Sequence, residues 1–227
     1  MTGARKLSAL MTCVGLWLAL PGNLLGQGSD TLFSKVTRND LDGVKALLAS
    51  GADINARAER YGHTPLIIAC NYNHEDLAEY LVEQGADVNI RGTDGSTALI
   101  AASSSSPRLV RLLLSKGADA RVKMENGTAA FTQCVNGIMF GQVSLDLAEL
   151  LLSKGADVND AATSGATKGY TPLIMAARNN KKELVEFLIQ HGADVNATTG
   201  DGNTALSLAT KAGHAEIVKM LKASGAK

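Results

Sequence analysis

The tripeptide Gly-Ala-Asp recurs at Gly51, Gly85, Gly117, Gly155 and Gly192, and Gly225-Ala226 begins a sixth copy. The spacings are 34, 32, 38, 37 and 33 residues. A second landmark keeps step with it: Thr64-Pro65-Leu66, Thr97-Ala98-Leu99, Thr128-Ala129-Ala130, Thr171-Pro172-Leu173 and Thr204-Ala205-Leu206. Two markers recurring together at about 33 residues restrict the chain to a row of similar small units, none able to bury its apolar face alone.

Each landmark has a local job. Thr64 and Thr171 stand where a helix begins, and Pro65 and Pro172 fill its first position, where a missing N–H is harmless. A second, amphipathic helix follows a short turn, with Leu77, Leu81 and Val82 on its apolar face in one unit and Leu184, Leu188 and Ile189 in another. Gly85, Gly117, Gly155 and Gly192 end that helix, since glycine accepts a left-handed backbone. The Asp-x-Asn that follows leads into a β-turn loop, where Asn side chains can hold backbone groups.

Gly192-Ala193-Asp194-Val195-Asn196 and Ala212-Gly213-His214-Ala215-Glu216-Ile217-Val218 bring the likeness to a point. The chain resembles the ankyrin repeat family over about residues 30–227. The resemblance implies an all-α solenoid of about six stacked helix-turn-helix units with β-turn hairpin loops. The units fall at about 29–58, 59–92, 93–124, 125–164, 165–199 and 200–227, the first with helices near 31–37 and 41–50. The first lacks the preceding hairpin, as a terminal cap should. The last carries Lys211, Lys219, Lys222 and Lys227, which suits an exposed end.

The start of the chain has a different character. Arg5 and Lys6 precede an apolar stretch from Leu7 to Leu20, broken by Pro21-Gly22, and Gly26-Gln27-Gly28 offers a small-x-small cleavage site. These parts in this order predict a secretory signal peptide over 1–28, and hence export: periplasmic in a bacterium, otherwise secreted. An uncleaved anchor would need about 20 apolar residues. A lipid-modified Cys13 should follow the apolar run rather than sit within it. No later segment is apolar enough to span a membrane.

Charge narrows the partner. The chain has 22 basic and 22 acidic residues, and removing 1–28 takes away only Arg5 and Lys6. With no polybasic run, a nucleic-acid partner held through its phosphates is not expected, nor adsorption to an anionic membrane. Apolar residues at 45% exclude a disordered chain.

Cys70 and Cys134 remain after processing, at what reads as one position in units two and four. Two units separate them by roughly 16–20 Å at the usual helix spacing, far beyond disulfide reach, so two free buried thiols are predicted.

No catalytic or metal-binding pattern emerges, and no cofactor is implied. His74 and His214 precede second helices, His63 sits at a hairpin tip and His191 lies beside a helix-ending Gly, none with a second ligand at metal spacing. Asp53, Asp87, Asp119, Asp157 and Asp194 are the repeat's own Asp, one unit apart.

Departures from the repeat are where an individual function can lie. The loop between units three and four reads one residue short, and Ser103-Ser104-Ser105-Ser106-Pro107 reads as a tight, solvated turn. Unit four holds about six extra residues between its helices, Val135 to Gln142. Its apolar Ile138-Met139-Phe140 is either a partner-contacting knob or a flap folded back on the helices. The hairpin from Asp160 to Lys168 is also long, with small polar residues that predict a mobile tip.

Ankyrin proteins use hairpin tips and first-helix surfaces as a concave groove for a folded protein. By register the resemblance places Tyr61, His63, Asn71, Tyr72, Ser96, Ser104, Tyr170, Arg178, Asn179, Asn203 and Lys211 there. Tyr61, Tyr72 and Tyr170 are three of the four tyrosines, a residue suited to binding surfaces because it joins apolar area to a polar tip. The expectation is a monomeric, non-enzymatic protein-binding scaffold, modulating or protecting against an envelope enzyme. The alternative is a secreted effector acting on a protein outside the producing cell.

Overall fold

The computed structural model describes residues 31–227; the expected signal peptide, 1–28, lies outside the described residues. Among these residues twelve α-helices form six pairs: α1 (Leu32–Thr37) with α2 (Leu41–Ala49), α3 (Pro65–Asn71) with α4 (Glu75–Glu83), and α5 (Ala98–Ala102) with α6 (Pro107–Ser115). Then come α7 (Ala130–Met139) with α8 (Leu145–Ser153), α9 (Pro172–Arg178) with α10 (Lys182–Gln190), and α11 (Ala205–Ala212) with α12 (Ala215–Ala223). Among the described residues there is no β-strand, only isolated bridges joining Lys123 to Ala129 and Thr198 to Thr204 at the necks of two hairpin loops. The first helices pack in sequence from α1 to α11, and each packs on its own second helix. The chain is thus an all-α solenoid, two helices deep.

The boundaries follow from the residues already identified. The Thr64, Thr97, Thr171 and Thr204 hydroxyl oxygens accept the N–H of Ile67, Ile100, Ile174 and Ser207 at 3.1–3.3 Å, satisfying a donor the helix cannot. Beyond each second helix the glycine is left-handed, with φ of 83° to 94° at Gly51, Gly85, Gly117, Gly155, Gly192 and Gly225. One continuous core runs through the stack, drawn from Leu66, Leu99, Leu113, Phe131, Leu151, Leu173 and Leu188 among others.

Units three and four depart from the sequence reading. Thr128 does not cap α7. The Met124 N–H donates to the Thr128 carbonyl, as the N–H groups of Ala58, Gly92, Ala162 and Thr199 donate to His63, Ser96, Tyr170 and Asn203. Thr128 therefore occupies the last hairpin position, and Ala129 takes the place of the capping threonine. Thr132 compensates, its hydroxyl receiving the Ala129 N–H at 2.8 Å and donating to the Ala129 carbonyl. The loop before unit four is accordingly not short, and Cys134 aligns with Ala69 rather than Cys70.

Most of the extra residues of unit four lengthen a helix rather than forming a turn loop. Helix α7 runs ten residues where α3 runs seven. A Cβ on Gly137 would lie 2.4 Å from the Ser104 carbonyl oxygen, so only glycine lets α7 pass against the serine turn of unit three. That turn is correspondingly not solvated: Ser103 and Ser106 are fully buried, the Ser103 hydroxyl donating to Leu99 O and that of Ser106 to the Glu75 carboxylate. The long hairpin is tethered as well, through Thr163 N–H to Asn126 O, Gly169 N–H to Ala162 O and Gly200 N–H to Lys168 O, leaving only its tip exposed.

Successive units are joined by rungs. Asn55, Asn89, Asn159 and Asn196 each accept, at 2.8–3.0 Å, a backbone N–H from the next unit: Asp87, Asp119, Asp194 and Lys227. His74 and His214 bond the carbonyls of Thr37 and Arg178 in the preceding unit. Arg121 stands at the asparagine position of unit three; its guanidinium turns back to Asp119 while its stem lies alongside Gly155. The joint between units three and four lacks that rung. Arg121→Asn should supply it, with N–H of Asp157 and the carbonyl of Gly155 as partners, and raise stability by about 1 kcal/mol, the usual net worth of such a bond. Equilibrium denaturation should show an increased midpoint; an unchanged or lowered one would mean that the joint is too wide for the rung.

Cys70 and Cys134 are free and fully buried, as expected. Burial pushes each thiol up to about 12. Thiolate and access are both missing at neutral pH, so a thiol reagent should label neither cysteine in the native chain and both in denaturant. Rapid native labelling of either would place that thiol at the surface.

Candidate interaction surface

The residues expected to face a partner fall on two lines, the hairpin tips and the ends of the first helices. On the hairpins, Tyr61 is 43% exposed, Tyr170 and Asn203 are half-buried, and His63 and Ser96 are buried. On the helix ends, Tyr72 is 52% and Phe140 65% exposed; Asn71, Asn179 and Lys211 are exposed, and Ser104 and Arg178 half-buried. Ile138 and Met139 pack against the core, which separates them from Phe140. Two of the apolar trio thus fold back on the helices and the third stays exposed, because a helix sends consecutive side chains in different directions.

His63 and Ser96 do not offer a surface because they tie two hairpins together. The Ser96 hydroxyl lies 2.9 Å from His63 Nε2 and donates to Asp94 Oδ1 at 2.6 Å, while Asp94 Oδ2 lies 3.4 Å from the same Nε2. Burial pushes the Asp94 carboxyl up, but the Ser96 hydrogen bonds and His63 outweigh it and hold it below the ordinary carboxylate range. Ser, His and Asp in contact invite a catalytic reading, and the geometry refuses it. Both partners meet one ring nitrogen rather than opposite ones, and the serine is interior. Among the described residues no three His, Cys, Asp or Glu side chains gather as a metal site.

Tyr61, Tyr72 and Tyr170 are held in place. The Tyr72 ring stacks on His74 at 5.7 Å, and His74 is itself bonded to Thr37. Tyr61 has Arg60 4.9 Å from its ring centroid and hydrogen-bonded to its hydroxyl at 3.0 Å. Its backbone is left-handed, φ 64°, a costly conformation for a bulky residue. Arg178 donates to the Tyr170 hydroxyl at 3.1 Å and lies 5.7 Å from its ring. The sequence reading did not single out Arg60; adjacency to Tyr61 was the signal available.

It also missed Asp160, whose side chain is fully buried. It stands where other units have Ala56, Ile90, Val122 and Ala197, a comparison that needs only the register. Its Oδ1 is ion-paired with the Lys123 ammonium, yet neither oxygen receives an aligned hydrogen bond. Burial pushes this carboxyl up against the pull of Lys123, and the carboxylate holds Lys123 above the usual lysine range.

The second helices use their charges differently. Arg108 is paired with Glu75, Asp76 and Glu79, Arg111 with Asp146, and Lys182 with Glu216, each pair crossing from one unit to the next. That face stitches the stack, while the first-helix edge and hairpins present held aromatics and polar groups to solvent.

Fold and surface together define a helical repeat solenoid with an open interaction face. The ankyrin-repeat profile, of three copies, matches residues 32–126 and 134–227, and the chain belongs to the ankyrin repeat family. It is 31% identical to the ankyrin repeat protein YahD of Escherichia coli (strain K12) over 195 residues, 83% of this chain and 92% of that protein. It is 33% identical to the ankyrin repeat protein FPV031 of Fowlpox virus (strain NVSL) over 185 residues, 80% of this chain but only 53% of that one. Among solved structures, a chain from the Bdellovibrio bacteriovorus Bd0816 predatory endopeptidase in complex with immunity protein Bd3460 superposes with a TM-score of 0.70 at 26% identity, over 87% of this chain and 99% of its own. Ankyrin repeats are protein-interaction scaffolds, and no helix among the described residues is long and apolar enough to cross a membrane.

Proposed function

We propose that this chain is a non-enzymatic, monomeric scaffold that is exported and binds a folded protein through the face made by its hairpins and first helices. The observation that carries the reading is the asymmetry between the two rows of helices. Second-helix charges bridge neighbouring units, whereas Tyr61, Tyr72 and Phe140 stand exposed on the other side with no structural task that requires their exposure. Aromatic anchors with restrained rings lose little freedom on binding. The apolar stretch 7–20 behind Arg5 and Lys6 supports export. The likeness to a chain from an endopeptidase–immunity-protein complex supports a client that is an enzyme, modulated or neutralised by the scaffold, and the export reading would put that enzyme in the envelope.

Two measurements test this. Fractionation of the tagged full chain should place it in the periplasm or medium, with a mature N-terminus near Ser29 and no tryptophan emission, since Trp17 is the only tryptophan. A full-length cytosolic chain would sink the export reading. For binding, Tyr72→Ser combined with Phe140→Ser should weaken a co-purifying partner by about 100-fold, a typical loss for two anchors, with helical circular dichroism unchanged. Retention of full affinity would show that the partner sits elsewhere. Partners found only in extracts of another organism would favour the effector reading.

A further inference from the structure

The first helices and the turns after them are poor in carboxylates. Their charged side chains other than histidine are Lys35, Arg38, Asp40, Arg178, Lys181 and Lys211, and the one carboxylate is already engaged: Asp40 pairs with Lys35 at 3.0 Å and accepts the Gly43 N–H. The second helices reverse the balance, with ten Asp and Glu against six Lys and Arg, many of them paired across units. The row of first helices is thus net basic and the row of second helices net acidic, while the hairpins between units carry more Asp and Glu than Lys and Arg.

Within the basic first-helix row, one pair of cations stands at matching positions. Arg178 and Lys211 occupy the same position in units five and six, each seven residues after its capping threonine, on helices α9 and α11 that pack against each other. Neither has a carboxylate within ion-pair distance among the described residues. The guanidinium of Arg178 is held by the Tyr170 hydroxyl and ring, and its carbonyl by His214 Nε2 at 3.1 Å. Holding one edge of the guanidinium leaves further N–H donors for a planar, two-oxygen acceptor, and little freedom remains to be lost when it arrives. Asn179 and Lys211 lie exposed beside it, and Asn203 half-exposed at the hairpin neck.

We infer that this corner, Tyr170, Arg178, Asn203 and Lys211, is the docking point for an acidic segment of the protein partner, an Asp or Glu side chain received by Arg178 with Lys211 supplying a second positive charge. The inference rests on the scaffold reading above and adds the chemistry of the partner to it. A protein carboxylate fits better than a nucleic acid. Two cations neutralise too few phosphates to hold a polyanion.

The test uses the full chain and needs no knowledge of the natural partner. A fluorescent Ala/Glu peptide and its Ala/Gln twin are titrated at low ionic strength, while the Arg178 Nε–Hε resonance is followed by NMR. The Glu peptide should bind about tenfold or more tightly than its twin and shift that resonance together with backbone signals of α11. Arg178→Gln and Lys211→Gln should each weaken it, and Arg178→Lys should not restore it, because the fork is lost while the charge remains. Both positions are at the surface, and thermal melts confirm that the variants fold. Equal binding of the two peptides, insensitivity of the Glu peptide to the double variant, or tighter binding of a single-stranded oligothymidylate would each overturn the inference. A captured protein whose affinity the double variant leaves unchanged would overturn it too, while leaving the scaffold reading intact.

Discussion

Truncating Phe131 to alanine should destabilise the chain by about 3–5 kcal/mol, the range for emptying a buried aromatic site, whereas Phe131→Leu should cost about 1 kcal/mol. Phe131 is fully buried in α7 and occupies the position filled by Leu66, Leu99, Leu173 and Leu206 in the other units. Leucine is therefore already compatible with the geometry of the site. The consequence goes beyond local loosening, because a stack of repeats is held by nearest-neighbour interfaces. Unit four is flanked by the joint that lacks an asparagine rung, and the contact of α7 with α9 is the thinnest between successive first helices. Phe131→Ala should therefore split the unfolding transition, with the last units melting separately from the first. Chemical denaturation followed by circular dichroism measures both the midpoint and the number of phases; a single transition at the original midpoint would refute the assignment.

A second large effect is expected at Lys123 and Asp160. Lys123→Met removes the cation that, among the described residues, is paired with a fully buried carboxylate, and should destabilise by about 2 kcal/mol, below the range for breaking a fully buried pair because the lysine side chain is 46% exposed. Asp160→Ala should be neutral or stabilising by about 1 kcal/mol, since Ala56 and Ala197 fill the same place elsewhere and a buried ion pair seldom outweighs its desolvation. The double variant should resemble Asp160→Ala, so the two changes are strongly non-additive.

The pH dependence carries the same signature. The Asp160 carboxyl is raised in the folded chain, so between its unfolded and folded values only the native state holds the proton. Its contribution is complete below the unfolded value, near 3.8, and is lost as pH rises through the folded one. Asp40, Asp94, Asp119, Asp146 and Glu216 are lowered and act in the opposite sense. Comparison with Asp160→Ala isolates this carboxyl's contribution: the variant's stability advantage should grow as pH rises from 3 towards 7. An advantage that shrinks over that range would mean the carboxylate is well satisfied in the fold.

Much of this molecule was legible along the chain. The helix pairs, the threonine caps and the left-handed glycines depend on residues a few positions apart, and such short-range preferences are written in sequence; the period and the isolation of the two thiols followed from counting along the chain. The exposed aromatics Tyr61 and Tyr72 followed from the same register. Unit four was misread where two signals competed. Thr128 has the chemistry of a cap, but burying Phe131 and bonding Met124 N–H to the Thr128 carbonyl fix the register one residue later.

Tertiary structure alone decided what lies between units. It turned an apparent loop into the last turn of α7, because Gly137 admits the serine turn of the preceding unit and core contacts hold Ile138 and Met139. It drew His63 and Ser96 inward and set Lys123 against Asp160. The sequence specified each unit because a helix and its caps are stabilised by near neighbours. The stack specified the contacts between units because these depend on which side chains two neighbours place at the same level.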